Sequence, residues 1–422
     1  MSDGGYIPLA SDREMNWSLF AVGDTCLAPD RADRELLAPK LRERVMAADV
    51  ATVNIEAPVE VPEPTPIPKS GPALATHPET PALLAKAGFD VATLANNHLF
   101  DYGTEGMRAT VRACQEVGID TAGVGEDRTA ALNPSIVDVD GVSLAILSAC
   151  EREFGIAERD ASGTAWSAHP DTIDAVQAAA ETYDVVVIVE HGGIEYVPFS
   201  PPQRRERLRR FVDAGADLVV GHHPHVVQGW ERYDGALICY SLGNFCFDRQ
   251  SEDENTGWGL AIEVEFDGAT PVGADLVPVE TVDGIVHPLG VERSRADHLA
   301  HLRHLADLTS DDERYRGHWQ AVAVRAFHQR YSNWLLTGVG ENLVQARTNP
   351  TDPTAQRALW NPERRRAELL TLLNVLRNES HRATMTSALA VLSGEREDER
   401  TPVIEETVES LLTWTQRRRQ AF

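Results

Sequence analysis

The chain has 422 residues, of which 42% are hydrophobic and 25% charged, and this composition is typical of a globular protein with one large core or two ordinary ones. Its formal net charge of -26 at pH 7 disfavours nucleic acid and anionic membranes as partners, because both carry negative charge themselves. Neither a signal peptide nor an apolar run of the roughly 20 residues that span a bilayer is apparent. Five cysteines without a CxxC spacing indicate reduced thiols, so we expect a cytoplasmic protein.

Short apolar runs alternate with amphipathic segments up to about residue 290. The predicted strands span residues 17–22, 50–55, 91–94, 143–147, 185–189, 218–220, 237–240 and 260–266. The predicted helices between them span residues 31–48, 80–87, 104–117, 170–182 and 203–214. Such alternation predicts an α/β fold with a mostly parallel sheet covered by helices. Eight prolines between Pro58 and Pro81 predict a long extended loop.

After about residue 290 the pattern changes to helices alone. They are predicted at residues 296–308, 318–336, 340–348, 362–378, 381–394 and 401–420. We therefore predict an α/β domain over residues 15–290 and a helical C-terminal extension over residues 291–422. Four tryptophans of the extension would suit a peptide bound between the two parts, although core packing is their commoner role. They are Trp319, Trp334, Trp360 and Trp414.

Polar side chains follow nearly every predicted strand. The densest group is Gly221-His222-His223-Pro224-His225, directly after the apolar run at 218–220. Because parallel strands share a direction, their carboxyl ends meet at one edge of the sheet. Carboxylate, amide and imidazole groups gathered there predict a site for Zn²⁺, Mn²⁺, Fe²⁺ or a related ion. Similar positions after other strands hold Asp24, Asn54, Glu56, Asn96, Asn97, His98, Asp101, Glu151, Glu190, His191, Glu195, Ser241 and Asn244.

The order and spacing of these motifs resemble the CapA family, which is named for capsular poly-γ-glutamate synthesis and belongs to the calcineurin-like metallophosphatase superfamily. The motifs are GD at 23–24, NIE at 54–56, NNHLFDYG at 96–103, HGGIE at 191–195, GHHPH at 221–225 and SLGNF at 241–245. The resemblance covers roughly residues 15–290. It implies a metallophosphatase-like two-sheet α/β sandwich with a metal site at the strand ends, followed here by the added helical region.

The resemblance also implies roles for individual residues. The implied metal ligands are Asp24, Glu56, Asn97, His191, His223 and His225, with His222 as an alternative to His223. They would hold one or two divalent ions of Mn, Zn, Fe, Ca or Mg, with no organic cofactor. The implied catalytic residues are His98, Glu56 and Asp101. Substrate contacts are assigned to Lys69, Asn54, Glu195, His222 and Asn244.

Two positions depart from the superfamily pattern. The opening Asp-x-His is Asp24-Thr25-Cys26 here, so one histidine ligand is missing, and the bridging carboxylate is Glu56 where aspartate is usual. Both changes count against a full dinuclear phosphatase centre. Structural roles remain alternatives at several positions: turn capping for Asn54 and Asn96, turn shaping for Ser241 and Asn244, orientation of ligand imidazoles for Asp101 and Glu195, and an exposed loop charge for Lys69.

These residues favour a metal-dependent enzyme that acts on a peptide or amino-acid carboxylate or amide. The reaction would be Cα proton abstraction, giving peptide epimerisation in natural-product biosynthesis, or amide hydrolysis. The resemblance extends to CapA-like tailoring enzymes of ribosomal peptides such as lasso peptides. Alternatives are a metal-dependent phosphoesterase, a poly-γ-glutamate synthesis accessory protein, and a non-catalytic scaffold. We expect a peptide or small acidic substrate and no nucleic acid or membrane partner, and a homo-oligomer remains open.

Overall fold

The computed structural model shows two facing β-sheets with helices packed on their outer sides. The chain is therefore a two-sheet α/β sandwich with a helical C-terminal region, which confirms the fold class predicted from the sequence. No helix in the described part of the chain is long and apolar enough to cross a membrane. The structure describes residues 5–10, 15–28, 31, 35–248, 257–290, 292–339, 352–354, 357 and 360–419.

The strands divide into two large sheets and one small pair. In chain order they are β1 (Tyr6–Pro8), β2 (Trp17–Cys26), β3 (Val50–Ile55), β4 (Val91–Thr93), β5 (Asp120–Ala122), β6 (Val124–Gly125), β7 (Ser135–Val139), β8 (Val142–Cys150), β9 (Gly163–Thr164), β10 (Val185–His191), β11 (Leu218–His222), β12 (Trp230–Tyr233), β13 (Ala236–Cys239), β14 (Asn244–Phe247), β15 (Gly259–Asp267), β16 (Thr270–Val282) and β17 (Ile285–Pro288). The first sheet has the order β1-β16-β15-β2-β3-β4-β5, with β14 beside β2 and β17 beside β16. The second has the order β12-β13-β11-β10-β8-β7, and β6 pairs with β9. The central strands β2 to β5 run parallel, as do β8, β10, β11 and β13.

Helices connect the strands and then continue alone. They are α1 (Pro39–Ala47), α2 (Thr80–Ala87), α3 (Gly103–Glu116), α4 (Arg128–Ala131), α5 (Pro170–Ala180), α6 (Pro202–Asp213), α7 (Glu292–Ser310), α8 (Asp312–Ala326), α9 (Ser332–Val339), α10 (Pro362–Arg377), α11 (Glu379–Leu392) and α12 (Pro402–Arg419). A π-helical turn, Phe327–Tyr331, joins α8 to α9. The helix predicted at 318–336 is therefore three consecutive elements, and the one predicted at 340–348 lies outside the described residues.

Alternating side chains of the strands fill cores on both faces of each sheet. In β2, Leu19 packs between the sheets with Val187 of β10, whereas Phe20 packs against the helices of the first sheet. In β10, Ile188 likewise faces the helices on the outer side of the second sheet. Burying each such side chain contributes roughly 1.5–3 kcal/mol. The period of two along the strands thus fixes which residues face which layer.

The helical C-terminal region packs on the loop that follows β10. Trp319 of α8 and Tyr331 of the π-helical turn share a core with Val197 and Phe199 of that loop. The hydroxyl of Tyr315 donates a hydrogen bond to a backbone carbonyl of the same loop. The division of the chain into domains at residue 290 stays a prediction.

One predicted helix begins later than expected. The sequence pattern predicts a helix from residue 31, but α1 begins at Pro39 because Leu37 forms an isolated β-bridge with Val286. Proline is favoured in the first turn of a helix, where its missing N–H group has no cost. Residues 58–79 form the predicted extended loop, and it is joined to itself by a bridge between Val59 and Thr76.

Candidate metal centre

Strand ends from both sheets meet at the candidate metal centre. Asp24 of β2 lies opposite Asn54 of β3 on one side and Asn244 of β14 on the other. In the second sheet, His191 at the end of β10 lies opposite His222 of β11. The shared direction of these strands therefore brings together residues that are far apart in the sequence.

The turn after β11 has an unusual backbone. His223 and His225 have φ angles of 94° and 56°, in the left-handed region, where a non-glycine residue costs on the order of 1–3 kcal/mol. Gly221 has no space for a side chain, because a Cβ atom there would lie 2.1 Å from the carbonyl oxygen of Tyr240. The turn brings Nε2 of His225 to 3.4 Å from Oε1 of Glu56. Such strained positions tend to cluster at functional sites.

Two groups of potential ligands share Glu56. The first contains Glu56, His191 and His223, and the second contains Asp24, Glu56 and His225. Within each group, one ligand atom per residue lies within 4.8 Å of the others. His191 Nε2 and His225 Nε2 lie 3.6 Å and 3.4 Å from Oε1 of Glu56. Ligand atoms bound at about 2.1 Å around one tetrahedral ion lie about 3.4 Å apart, so the spacing suits coordination.

The carboxylate of Glu56 lacks hydrogen-bond partners in the described part of the chain. Both of its oxygens are buried and lack a hydrogen-bond partner among the described residues. Burying an unpaired carboxylate is strongly unfavourable. A bound cation would remove this cost, and the neighbouring imidazoles and the second carboxylate could bind the same cation. The side-chain oxygen of Asn97, 3.1 Å from His191 Nε2, adds an amide ligand. The residues present therefore fit one or two divalent cations.

Burial and charge shift the pKa values of Asp24, His191 and His223 in the directions that metal binding needs, and a bound cation would have to offset the opposite shift of Glu56. Burial alone would raise the pKa of Asp24, but the neighbouring imidazoles, His222 first, bring it well below its ordinary value. Burial lowers the pKa of both His191 and His223 well below the usual range, so each imidazole is neutral. Burial, reinforced by Asp24, raises the pKa of Glu56 well above its usual range. Neutral imidazole is the form that binds a metal ion.

His98 belongs to a separate charged unit beside the ligands. Its Nδ1 lies 2.7 Å from Oδ2 of Asp101 and 3.1 Å from the ammonium of Lys69, which is also paired with Asp101. Asp101 further accepts a hydrogen bond from the backbone N–H of Leu74 at 2.7 Å, so it anchors the proline-rich loop. Burial and then Lys69 lower the pKa of His98, against the opposing effect of Asp101. The side chain of Lys69 is 4% exposed, which rules out the alternative of an exposed loop charge.

A buried network of charges supports the strand that ends in His191. Glu190 is bonded by Arg204 at 2.8 Å and by Arg207 at 2.7 Å. Arg207 also binds Glu151, which in turn accepts a 2.7 Å hydrogen bond from the hydroxyl of Ser380 in α11. Burial alone would raise the pKa of Glu190, but Arg204 and Arg207 together lower it below its ordinary value, so the carboxylate stays ionised. The network fixes the position of the ligand strand and ties it to the helical C-terminal region.

Other residues predicted from the sequence contact the ligands themselves. Asn54 donates a 2.8 Å hydrogen bond to Oδ1 of Asp24, and Nδ1 of His222 lies 2.8 Å from the same oxygen. The side-chain oxygen of Asn244 lies 2.9 Å from Nδ1 of His225. These contacts orient ligands, and a role of the three residues in substrate binding stays a prediction.

The structure places Glu195 near Arg330 and adds residues that sequence reasoning missed. Glu195 lies 3.9 Å from the guanidinium of Arg330 instead of on a ligand histidine. From the helical C-terminal region, the hydroxyl of Tyr331 lies 2.8 Å from Nδ1 of His381, and that imidazole is close enough to contribute to the lowered pKa of His223. Neither residue follows a strand or belongs to a motif, so the sequence carried no signal for them.

Comparison with known proteins agrees with the motifs at this site. The family described as "Bacterial capsule synthesis protein PGA_cap" matches residues 18–249, which is more than half of the chain. The chain belongs to the PGA_cap family. The matched range ends before the helical region and includes every implied metal ligand, from Asp24 to His225. The resemblance inferred from the sequence motifs is thereby confirmed.

Curated relatives share this PGA_cap part of the chain. The chain is 34% identical over 229 residues to "Capsule biosynthesis protein CapA" of Bacillus anthracis, covering 51% of this chain and 54% of the relative. It is 36% identical over 179 residues to "PGA biosynthesis protein CapA" of Bacillus subtilis, covering 42% and 47%. The chain thus spans about half of the length of the curated relatives it matches. Among solved structures, a putative 5'-nucleotidase from Staphylococcus aureus aligns with a TM-score of 0.39 and 15% identity, covering 67% of this chain and 58% of that one.

Proposed function

We propose that this PGA_cap protein is a metal-dependent enzyme that acts on a carboxylate or amide of a peptide or amino acid. The observation that carries the proposal is the buried Glu56 carboxylate, which has no hydrogen-bond partner among the described residues and is shared by two ligand groups. Relatives named for capsule and PGA biosynthesis support a substrate built from amino acids.

The ligand groups indicate which residues would hold the ion. Glu56 would bridge the two groups, with His191 and His223 on one side and Asp24 and His225 on the other. A divalent ion held there supplies Lewis acidity, which draws electron density from a bound carboxylate or carbonyl group. Asn97 would add a neutral oxygen ligand beside His191.

His98 is the residue proposed to move the proton. Its Nδ1 faces the Asp101 carboxylate at 2.7 Å, and in the tautomer that carries the proton on Nδ1, Nε2 is left to exchange a proton with a substrate. Lys69, bonded to the same carboxylate, fixes the position of Asp101. Asp101 and Lys69 therefore position the imidazole, and only His98 would touch the reacting atoms.

Two reactions are equally compatible with a bound metal ion and the His98 imidazole. In epimerisation, His98 would take a proton from the Cα atom next to a carboxylate or carbonyl group, water would return one on the opposite face, and the imidazolium would neutralise the hydroxide that this leaves. In amide hydrolysis, the same imidazole would take a proton from water and pass one to the leaving amine. Phosphoester hydrolysis ranks behind both, because the histidine expected two residues after Asp24 is replaced by the buried thiol of Cys26.

A non-catalytic accessory role is the second candidate. It is favoured by the names of relatives, one of which is a "Probable polyglutamine synthesis accessory protein" of Mycobacterium tuberculosis, 28% identical over 268 residues. In that case the ligand cluster would stabilise the fold, and the helical region would bind other members of a biosynthetic complex.

The proposal is tested by mass spectrometry of peptides and phosphoesters incubated with Mn²⁺-loaded protein in D₂O. Gain of one deuterium without cleavage indicates Cα proton exchange, and a cleaved product indicates hydrolysis. We expect His98→Ala to keep the bound metal and to lose turnover by a factor of about 10²–10⁴. His304→Ala, which changes an exposed histidine outside the site, should retain both. Loss of metal and turnover together in His98→Ala would contradict the assigned role, and an inert wild-type protein would favour the accessory role.

A further inference from the structure

A large cavity lies between the loop after β10 and the helical C-terminal region. Its volume is about 680 Å³, which is within the range of sites that bind small ligands and short peptides. Glu195 and Tyr196 of the loop form one wall, and Arg330 and Trp334 form part of the other. The Tyr196 ring stacks at 5.9 Å on the imidazole of His225, so the cavity borders directly on the candidate metal centre.

The opposite wall is built around the π-helical turn. Gln329 and Arg330 belong to that turn, and Asn333 and Trp334 follow it in α9, and all four line the cavity. Helical turns of this kind are rare and are frequent at functional sites. The wall therefore presents two side-chain amides, one cation and one aromatic ring to a ligand.

Each of the two arginines of the cavity lies near a carboxylate, but they differ in whether that carboxylate is within hydrogen-bond distance. Arg325 forms an ion pair with Glu409. Arg330 has a buried Nη1 with no hydrogen-bond partner among the described residues, and Oε2 of Glu195, at 3.9 Å, is beyond hydrogen-bond distance. A guanidinium stays charged at any physiological pH, and leaving a buried donor unpaired is unfavourable. A ligand carboxylate would supply the missing acceptor.

We propose that this cavity binds a short peptide bearing a carboxylate, with the carboxylate on Arg330 and an adjacent apolar group against Trp334. The amides of Gln329 and Asn333 suit the peptide groups of such a ligand. The net charge of -26 repels a polyanion, so a ligand with one or few carboxylates is favoured over a long acidic polymer. The inference rests on the proposed function in that it names the substrate class of the same site.

Binding of three fluorescently labelled tripeptides to the full chain tests the proposal. The probes are Ala-Ala-Phe with a free carboxyl terminus, its C-terminal amide, and the amide of Ala-Glu-Phe. We expect at least one carboxylate probe to bind at least about 10-fold more tightly than the uncharged amide, which corresponds to one charge-assisted hydrogen bond. Comparison of the two carboxylate probes tells whether a terminal or a side-chain carboxylate is recognised.

Two variants separate a specific contact from general electrostatic attraction. Arg330→Gln should abolish the preference for carboxylate, and Arg330→Lys should restore part of it. Arg325→Gln is the matched control, because its charge is already balanced by Glu409, and it should retain the preference. Equal losses in both glutamine variants, no loss in Arg330→Gln, or no binding of any probe at millimolar concentration would overturn the proposal.

The same measurements distinguish this inference from the proposed function. Arg330-dependent binding should persist in His98→Ala and after treatment with a chelator, because it requires neither proton transfer nor the ion. If that dependence is seen but the wild-type protein turns over no peptide, the cavity proposal stands and the proposed function fails. If peptides are turned over at the same kcat and KM by Arg330→Gln, the proposed function stands and the cavity proposal fails.

Discussion

Arg207 is expected to make a large contribution to the free energy of unfolding. Its guanidinium bonds both Glu151 and Glu190, and the three side chains are 8%, 2% and 0% exposed. Arg207→Met keeps much of the apolar stem but leaves two buried carboxylates short of one cation, although Arg204 still binds Glu190. Removing one partner of a buried ion pair costs about 3–5 kcal/mol, and we expect a loss in that range.

Urea denaturation followed by circular dichroism at pH 8 measures this loss. Arg108→Met is the matched control, because Arg108 also binds a carboxylate, Glu126, but the two side chains are 53% and 59% exposed. An exposed pair is worth about 0–1 kcal/mol. The deficit of Arg207→Met should shrink on lowering the pH to 5, since loss of Arg207 removes one of the two cations that lower the pKa of Glu190, and protonation then relieves the uncompensated charge. A deficit no larger than that of the control, or one independent of pH, would refute the reasoning.

Further predictions concern the pH dependence of stability and the binding of metal. Burial raises the pKa of Glu153 to about 7 from an ordinary 4.5, so between these pH values the carboxyl group is protonated in the folded protein and ionised in the unfolded chain. Its contribution to the free energy of unfolding is therefore fully present below pH 4.5 and is lost as the pH rises through 7. Glu153→Gln should remove this loss of up to about 3 kcal/mol, and an unchanged pH profile of unfolding would count against it. Glu56→Gln should lower the metal content found by elemental analysis, whereas Glu195→Gln should not, because Glu195 belongs to neither ligand group. A chelator should lower the Tm of the wild-type protein and leave that of Glu56→Gln unchanged, and equal shifts would contradict the assignment.

Patterns within short stretches of the sequence were enough to predict most helices and strands of the fold. Helix α5 begins at Pro170, as predicted, because proline suits the first turn and the preceding histidine caps it. The start of α1 was predicted wrongly because the bridge from Leu37 to Val286 depends on a strand about 250 residues further along the chain. No window of the sequence contains that information.

The same distinction applies to the candidate site. Asp24 and His191 could be located because parallel strands place their ends at one edge, whatever the rest of the chain does. Arg207 and Ser380 could not, because they lie on helices without a motif and meet only in the folded chain. Glu195 belongs to a motif, but its carboxylate lies 3.9 Å from the guanidinium of Arg330 in the π-helical turn, a contact that the motif does not indicate.

The bond between Ser380 and Glu151 spans 229 residues and has a consequence for the order of synthesis. All of the candidate ligands lie before residue 226, so a nascent chain contains the whole cluster long before α11 emerges from the ribosome. Until then Glu151 lacks the hydroxyl and backbone N–H that later bind it. A chain truncated before α11 would therefore keep every candidate ligand but lack one support of the strand that carries His191.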